Sequence, residues 1–244
     1  MNDYLVFRLY GPMASWGQAA VGGDRPTARH PSRSAILGFL SAALGIKRSD
    51  DKKLKVLHNC VQVAVKQCVP TTVLRDYHTA QVPSYNKKIV YKTRQSELSE
   101  AKLNTILSSR DYRCDGLWVV AVRLQNNTDI SLEKLQQALL KPVFMLSLGR
   151  KSCPLALPLC PKILIGQSLR MALDTQFPAI TRSHKEDALW LGATAIVTYF
   201  WEGDKTEISG QHVLTTRPCD DPVSRTRWQF QQRAMHQLSV KGGC

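Results

Sequence analysis

Residues 117–124, Leu-Trp-Val-Val-Ala-Val-Arg-Leu, form a nearly continuous apolar run close to the middle of the 244-residue chain. A run rich in β-branched and aromatic residues predicts a long β-strand. Towards the N-terminus, residues 61–65 (Val-Gln-Val-Ala-Val) alternate like a half-buried strand. Residues 4–10 (Tyr-Leu-Val-Phe-Arg-Leu-Tyr) predict an opening strand that ends at Gly11 and Pro12. We therefore expect a sheet assembled from strands that lie far apart in the chain.

Two helices are predicted between these strands. Ser32 is the predicted N-cap of the first helix, and Gly45 is its predicted C-terminal stop. Between them, apolar residues recur at helical spacing: Ile36, Leu37, Phe39, Leu40, Ala43 and Leu44. Residues 132–140 predict the second helix, which Pro142 stops. The order of strands and helices predicts an α+β protein with a split βαββαβ core of ferredoxin-like type.

The C-terminal half has a similar pattern. Residues 168–176 predict a helix, residues 195–201 predict a strand, and strand-like segments continue to Val240. This pattern is compatible with a second, degenerate copy of the same fold, although no repeat is visible at the level of residues.

Residues 79–113 differ from the rest of the chain because they are polar and show no apolar period. Between residues 79 and 95 there is no acid, and basic residues alternate with two tyrosines: Tyr85, Lys87, Lys88, Tyr91, Lys92 and Arg94. Such a segment predicts an arm or hairpin that projects from the sheet, with a short helix near residues 96–108. The chain is thus divided into residues 1–78, the arm at 79–113, and residues 114–244.

The charge of the chain predicts a polyanionic partner. Lys and Arg number 33 against 19 Asp and Glu, for a formal net charge of +14, and nucleic acid is the simplest partner for such an excess. A membrane surface would require a basic amphipathic helix, which the sequence lacks, and no apolar run approaches 18 residues. Seven cysteines without a Cys-x-x-Cys pair, together with an N-terminus unlike a secretory signal, favour reduced thiols in the cytoplasm and no zinc site.

The first basic cluster lies at the predicted start of the first helix. Residues 25–34 contain Arg25, Arg29, Arg33 and Ser34, with Asp24 as the nearby acid. Because a helix N-terminus offers free N–H groups and a positive dipole end, this cluster is expected to bind phosphate. The alternative is a solvated loop before a capped helix.

The second cluster is Leu74-Arg-Asp-Tyr-His. Tyr77 and His78 can stack on bases while Arg75 contacts phosphate. As an alternative, His78 with Tyr77, or else His30, would supply a metal-independent ribonuclease that acts on a 2′-hydroxyl.

Two further basic segments complete the candidate interface. The arm returns to the sheet through Arg110 and Arg113, and a Gly-led turn places Arg150, Lys151 and Ser152 after Gly149. That turn lacks the spacing of a P-loop. Carboxylates are too scattered for a two-metal nuclease, so we assign no catalytic residue, metal ligand or cofactor.

Several motifs, in order, resemble one known family. Residues 9–18 (Leu-Tyr-Gly-Pro-Met-Ala-Ser-Trp-Gly-Gln) look like the N-terminal signature of the CasD family, the subunit of the type I-E CRISPR Cascade that holds the 5′ handle of the guide RNA. Residues 25–27, 31–34, 74–79, 140–142, 148–155 and 241–243 are similar to later family blocks. Trp16 and Gln18 of the signature join the expected RNA-binding residues.

The resemblance implies a RAMP-type protein: a ferredoxin-like (RRM-like) palm, an inserted β-hairpin thumb at residues 79–113, and a reduced C-terminal half. It also implies a non-catalytic subunit that caps the backbone filament in antiviral defence. The implied partners are the crRNA 5′ handle, the adjacent backbone subunit, the large subunit and target DNA in the assembled particle. Type I-C relatives cut precursor RNA, so the endoribonuclease alternative stays open, as does a general nucleic-acid-binding protein outside CRISPR.

Overall fold

The computed structural model describes residues 1–20, 22–87, 89–125, 130–191, 196–224, 227 and 229–241. The helices are α1 (Arg33–Ala43), α2 (Asp51–Cys60), α3 (Arg94–Leu98), α4 (Leu132–Leu140), α5 (Leu169–Leu173) and α6 (His184–Trp190). The strands are β1 (Asn2–Ala14), β2 (Asp24–Arg25), β3 (Val61–Gln67), β4 (Thr72–Pro83), β5 (Leu103–Leu124), β6 (Lys162–Gln167), β7 (Ile196–Trp201), β8 (Leu214–Thr216), β9 (Cys219–Ser224), β10 (Gln229–Gln232) and β11 (Met235–Lys241).

The main sheet is organised around β5, which has 22 residues. The strand order is β6-β1-β5-β3-β7-β11-β8, and β2 and β4 also pair with β5. Every described pairing in this sheet is antiparallel apart from the short parallel pair of β2 with β5. The predicted mixture of helices with an antiparallel sheet is thereby confirmed. The C-terminal strands β7, β11 and β8 extend this same sheet beyond β3.

The two faces of the sheet are covered by different layers. Along β1, Leu5, Phe7 and Leu9 pack into a core with α1 and α4. The alternate residues Tyr4 and Val6 pack on the other face against α5, β7 and β11. Successive side chains of a strand point to opposite faces, so a strand covered on both sides is apolar throughout. This explains the nearly continuous apolar run of residues 117–124, which Arg123 alone interrupts.

Helix α1 forms as the sequence predicts. The Ser32 side chain accepts a hydrogen bond from the Ala35 N–H, which satisfies one of the free donors of the first turn. Gly45 follows the helix at φ +73, and a Cβ there would lie 2.8 Å from Val143 Cγ1. Both the backbone conformation and the close contact therefore require glycine at this position.

The predicted arm is a long β-hairpin whose two strands are β4 and the first part of β5. Pairing runs from Thr72 opposite Cys114 to Pro83 opposite Leu103. A 12-residue strand such as β4 spans about 40 Å. The hairpin thus begins earlier than residue 79 and includes the Leu74-Arg-Asp-Tyr-His cluster.

Other sequence expectations need correction. The helix predicted near residues 96–108 is instead the short α3, because β5 already begins at Leu103. Strand β1 continues through Gly11 and Pro12 to Ala14, because residues 11, 13 and 14 still pair with β5. Helix α2 was not predicted from the sequence, whereas α4 has the predicted bounds and α5 covers the middle of the predicted segment.

Candidate nucleic-acid interface

Arg33 is part of a buried ion-pair network and is not at the surface. Its guanidinium pairs with Glu202 and, at 2.9 Å, with Asp221. The same group donates to the carbonyl oxygens of Val61 (2.9 Å) and His58 (2.6 Å). Nε, Nη1 and Nη2 each donate to a protein acceptor and the residue is buried, so the structure contradicts the expectation that Arg33 binds phosphate.

The N-terminus of α1 is also occupied. The Arg33 backbone N–H donates to Asp220 Oδ2 at 2.8 Å, and Arg233 in turn pairs with Asp220 at 2.7 Å. A carboxylate of the chain itself therefore lies where we expected phosphate. The Ser34 hydroxyl lies 3.0 Å from the Ser32 hydroxyl, within the cap of the helix. The predicted phosphate site at this helix end does not form.

A second set of arginines lies where the hairpin meets the sheet. We call it the junction cluster, and its members are Arg29, Arg75, Asp111, Arg113 and Arg150. The buried Asp111 carboxylate accepts two hydrogen bonds from Arg75, at 2.8 and 3.0 Å. These bonds, followed by the charges of Arg75, Arg113 and Arg150, hold the pKa of Asp111 below its usual value. One acid is thus surrounded by several guanidinium groups, which leaves an excess of positive charge.

Arg113 and Arg29 place two more positive charges side by side. Arg113 donates to the carbonyl oxygens of Ala28 (3.1 Å) and Thr27 (3.3 Å) and is partly buried. Burial, followed by the charge of Arg29, lowers the pKa of Arg113. The Arg29 side chain is exposed, while its carbonyl oxygen accepts from the Trp118 indole at 3.0 Å. The backbone of Arg29 is fixed by the core and its guanidinium faces solvent.

Arg150 carries a donor without an acceptor. Its guanidinium lies over the Tyr112 ring, with Cζ 4.9 Å from the centroid, and Nη2 donates to the Arg25 carbonyl oxygen at 3.2 Å. Nη1 is buried and has no hydrogen-bond partner among the residues that the structure describes. A buried donor without a partner is costly, so an anionic acceptor supplied by a ligand would be favoured here.

The turn that carries Arg150 is held by a close backbone approach. Gly149 has φ +88, and a Cβ there would lie 1.9 Å from the Ser15 carbonyl oxygen. The Ser15 backbone therefore occupies the space beside this glycine. Lys151 and Ser152 are exposed beyond the turn. Gly149 therefore fixes the turn to the end of β1 and positions Arg150.

Of the two candidate residues in the N-terminal motif at residues 9–18, one lies in the core and one at the surface. Trp16 is 2% exposed and packs edge-to-face on Trp118, with ring centroids 5.2 Å apart, so it is a core residue and not an RNA contact. Gln18 is exposed in the following loop. Arg25, also exposed, is opposite Arg110 where β2 pairs with β5.

The residues of the ribonuclease alternative are not brought together. Tyr77 and His78 are adjacent in β4, opposite Ser109 and Ser108, and therefore project from opposite faces of the hairpin. His30 stacks on the Phe200 ring with 3.7 Å between centroids, and burial lowers its pKa to about 4. Neither histidine has the arrangement expected of a paired acid and base.

The outer hairpin contains the remaining predicted residues. Tyr85, Lys87 and Lys92 are exposed, and Tyr91 is half-buried. Arg94 pairs with Glu97 at 2.6 Å and donates to the Gln81 carbonyl oxygen, which ties α3 to β4. Lys88 lies outside the described residues.

Sequence reasoning missed Asp111 and Tyr112, which orient Arg75 and Arg150. Among the described residues, no group of three or more His, Cys, Asp or Glu side chains is placed to hold a metal ion. No helix in the described ranges is both long and apolar enough to cross a membrane.

Comparison with known proteins identifies the family. Residues 4–236 match the family model described as CRISPR-associated protein (Cas_Cas5). The chain is similar to the CRISPR system Cascade subunit CasD of Escherichia coli K12, with 40% identity over 167 residues, which cover 65% of this chain and 70% of that protein.

Two solved structures have a similar fold. One is a chain of a CRISPR RNA-guided surveillance complex, with a TM-score of 0.66, 26% identity, and coverage of 98% of this chain and 90% of that chain. The other is a crystal structure of a Cas protein, with a TM-score of 0.63, 21% identity, and coverage of 98% and 95%. The resemblance seen in the sequence motifs is confirmed, and the chain belongs to the CRISPR-associated Cas5 family, which includes CasD.

Proposed function

We propose that this chain is a non-catalytic, crRNA-binding subunit of a type I-E Cascade complex that holds the 5′ handle of the guide RNA. The junction cluster carries the proposal. Its arginines exceed its one acid, and the Nη1 donor of Arg150 lacks an acceptor in the described part of the chain. Backbone phosphates of a single strand would supply both the missing charge and the missing acceptor.

The palm and thumb of RAMP proteins offer a consistent architecture for this role. The elements β1, α1, β3, β5, α4 and β6 follow the βαββαβ order, with neighbours β6-β1-β5-β3 in the sheet, and we propose that they form the ferredoxin-like palm. The hairpin would be the thumb, inserted between the two palm segments that the sequence predicted at residues 1–78 and 114–244. The base of this hairpin lies at Thr72. Residues beyond β6 would be the reduced C-terminal half.

The proposed surroundings follow from the similarity to CasD. The chain would cap the backbone filament in antiviral defence and contact the adjacent backbone subunit, the large subunit and, in the assembled particle, target DNA. The proposed location is the cytoplasm. We propose that neither a cofactor nor a metal takes part.

We expect the purified chain to bind handle-containing precursor RNA without cutting it. Tyr77 and His78 project from opposite faces of the hairpin and His30 is stacked on Phe200, so neither histidine of the ribonuclease alternative is paired for acid–base catalysis. Incubation in EDTA, followed by gel analysis of the RNA, measures binding and cleavage together. Specific cleavage at the handle boundary that is lost in His78→Ala would establish the ribonuclease alternative instead.

We also expect the hairpin tip to be dispensable for folding. Replacing residues 84–102 by an Asn-Gly turn removes exposed and half-buried side chains and keeps the register of β4 with β5. The melting temperature is expected to stay within about 3 °C of the parent protein, since few buried contacts are lost. Handle affinity is expected to persist through the junction cluster.

The functional effect of the tip deletion is expected in the assembled particle. Chemical probing of the guide at the handle–spacer junction, in particles reconstituted with the deleted chain, is expected to show changed reactivity. An unaltered reactivity pattern with full target binding would mean that the tip is a solvent-exposed segment without a role at the guide.

A further inference from the structure

A shallow groove of about 500 Å³ lies between α1, the start of α2 and the loop that follows α4. We call it the α1–α2 groove. Its apolar lining consists of Gly38, Ala42, Ile46, Leu54 and Phe144. None of the residues that line it belongs to the junction cluster, so it is a surface separate from the proposed RNA interface.

The wall of the groove is an apolar loop that is fixed to α1. The N–H groups of Val143 and Phe144 donate to the carbonyl oxygens of Ala43 (3.0 Å) and Ala42 (3.1 Å). The Ala43 carbonyl is one that the last turn of the helix leaves free, whereas the Ala42 carbonyl also accepts from the Gly45 N–H at 3.2 Å. The loop is therefore held in place by backbone hydrogen bonds and not by burial of its side chains.

Those side chains face solvent although they are large and apolar. Val143 is 65% exposed, Phe144 42% and Met145 84%, and the neighbouring Leu140 is 55% exposed. Single exposed apolar residues are ordinary, but a contiguous group beside a groove is typical of a protein interaction site.

The rim of the groove is positively charged. Lys47 and Arg48 line the groove. Lys47 also lines an adjoining depression, where Lys52 and Lys53 lie with Asp50 and Asp51, so basic residues exceed acidic ones around the groove. Asp50 caps α2 and pairs with Lys53 at 3.2 Å, whereas Lys47 and Lys52 are exposed. A partner that covers the apolar lining would thus have its outer residues next to these lysines. Carboxylates at those positions of the partner would be complementary in charge.

We propose that the α1–α2 groove binds an amphipathic segment of a protein partner that presents carboxylates beside aliphatic or aromatic side chains. Nucleic acid fits this surface less well. Bases are held by aromatic platforms, and of the described residues that line the groove Phe144 alone is aromatic. The remaining apolar walls would offer nothing to a phosphate backbone, but they match the apolar face of an amphipathic segment.

The test uses a fluorescent peptide of about 18 residues with Leu at helical spacing i, i+3, i+4, i+7 and Glu elsewhere. Matched probes are the peptide with Lys in place of Glu, and a single-stranded RNA of similar charge. Binding to the full chain is measured by fluorescence anisotropy. The groove variants are Phe144→Ser with Met145→Ser, and Lys47→Glu with Lys52→Glu; the control is Met171→Ser, an exposed methionine on α5.

We expect each groove variant to weaken binding of the Glu peptide by at least about tenfold, and the control to leave it unchanged. The Lys peptide is expected to bind the parent chain at least about tenfold more weakly than the Glu peptide. RNA affinity is expected to stay the same in the Phe144 and Met145 variant.

Equal binding of the two peptides, or Glu-peptide binding that the groove variants leave intact, would overturn the proposal. A loss of RNA affinity in the Phe144 and Met145 variant with native melting would assign the groove to nucleic acid instead. Should the Phe144 and Met145 variant fail to fold, the lysine pair decides the result by comparison with Lys185→Glu and Lys205→Glu, two exposed lysines whose reversal changes the net charge equally.

Discussion

Arg33→Ala is expected to lower the free energy of unfolding by about 3–5 kcal/mol, because removing one partner of a buried ion pair leaves the other charges uncompensated. The substitution removes the nearest partner of Glu202, whose side chain is 11% exposed, and leaves it with Arg233 at 3.7 Å and the Val63 N–H. It also removes donors from the carbonyl oxygens of His58 and Val61. A loss of this size is a large fraction of the about 5–15 kcal/mol that stabilises a typical protein. Urea unfolding measures it.

Two matched substitutions test whether the lost contacts of Arg33 cause the destabilisation. Arg33→Lys keeps the charge, but the lysine ammonium cannot reach all the acceptors that the planar guanidinium contacts. We therefore expect an intermediate loss of unfolding free energy. Arg29→Ala, at an exposed position in the same segment, is expected to change the unfolding free energy by less than about 0.5 kcal/mol. A loss below about 1 kcal/mol for Arg33→Ala would mean that the network does not stabilise the fold.

Neutralising two members of the junction cluster is expected to produce the largest loss of RNA binding. Arg29→Gln with Arg150→Gln removes two guanidinium groups while it keeps polar side chains of moderate length. A hydrogen bond to a charged group contributes about 1.5–3 kcal/mol, so two contacts predict at least about a hundredfold loss of affinity for handle RNA. A filter-binding titration at constant salt measures the change.

The control for this variant carries the same change in net charge. Lys185→Gln with Lys205→Gln alters two exposed lysines of the C-terminal half, so general attraction to RNA falls equally. We expect the control to lose less than about threefold in affinity. Equal losses in the two variants would show that net charge, and not the junction cluster, drives binding.

The elements that local sequence determines were predictable. Ser32, Gly45 and the apolar spacing between them define α1, because capping and periodicity act within a few residues. The hairpin start was not predictable in this way. Most of β4 is exposed on both faces, so its sequence lacks the alternation of a half-buried strand. Nothing in the sequence at Thr72 therefore marks the start of the hairpin.

The site was predictable in composition but not in arrangement. Arg33 and Arg29 look alike in the sequence, yet Arg33 meets Glu202 and Asp221, which lie 169 and 188 residues away. Likewise, Asp111 becomes the centre of the junction cluster because β4 places Arg75 opposite it. Which arginines stay available to RNA therefore depends on tertiary contacts that no local pattern contains.

The salt dependence of handle-RNA affinity tests the central claim that the junction cluster contacts backbone phosphates. Each contact to a single strand contributes about −0.7 to the slope of log K against log salt. About six contacts, made by the arginines of the junction cluster together with other basic residues of the hairpin, therefore predict a slope near −4. The Arg29→Gln with Arg150→Gln variant is expected to be shallower by about 1.4, and the lysine control to keep the parent slope. A parent slope shallower than about −1.5, or an unchanged slope in the junction variant, would contradict the account.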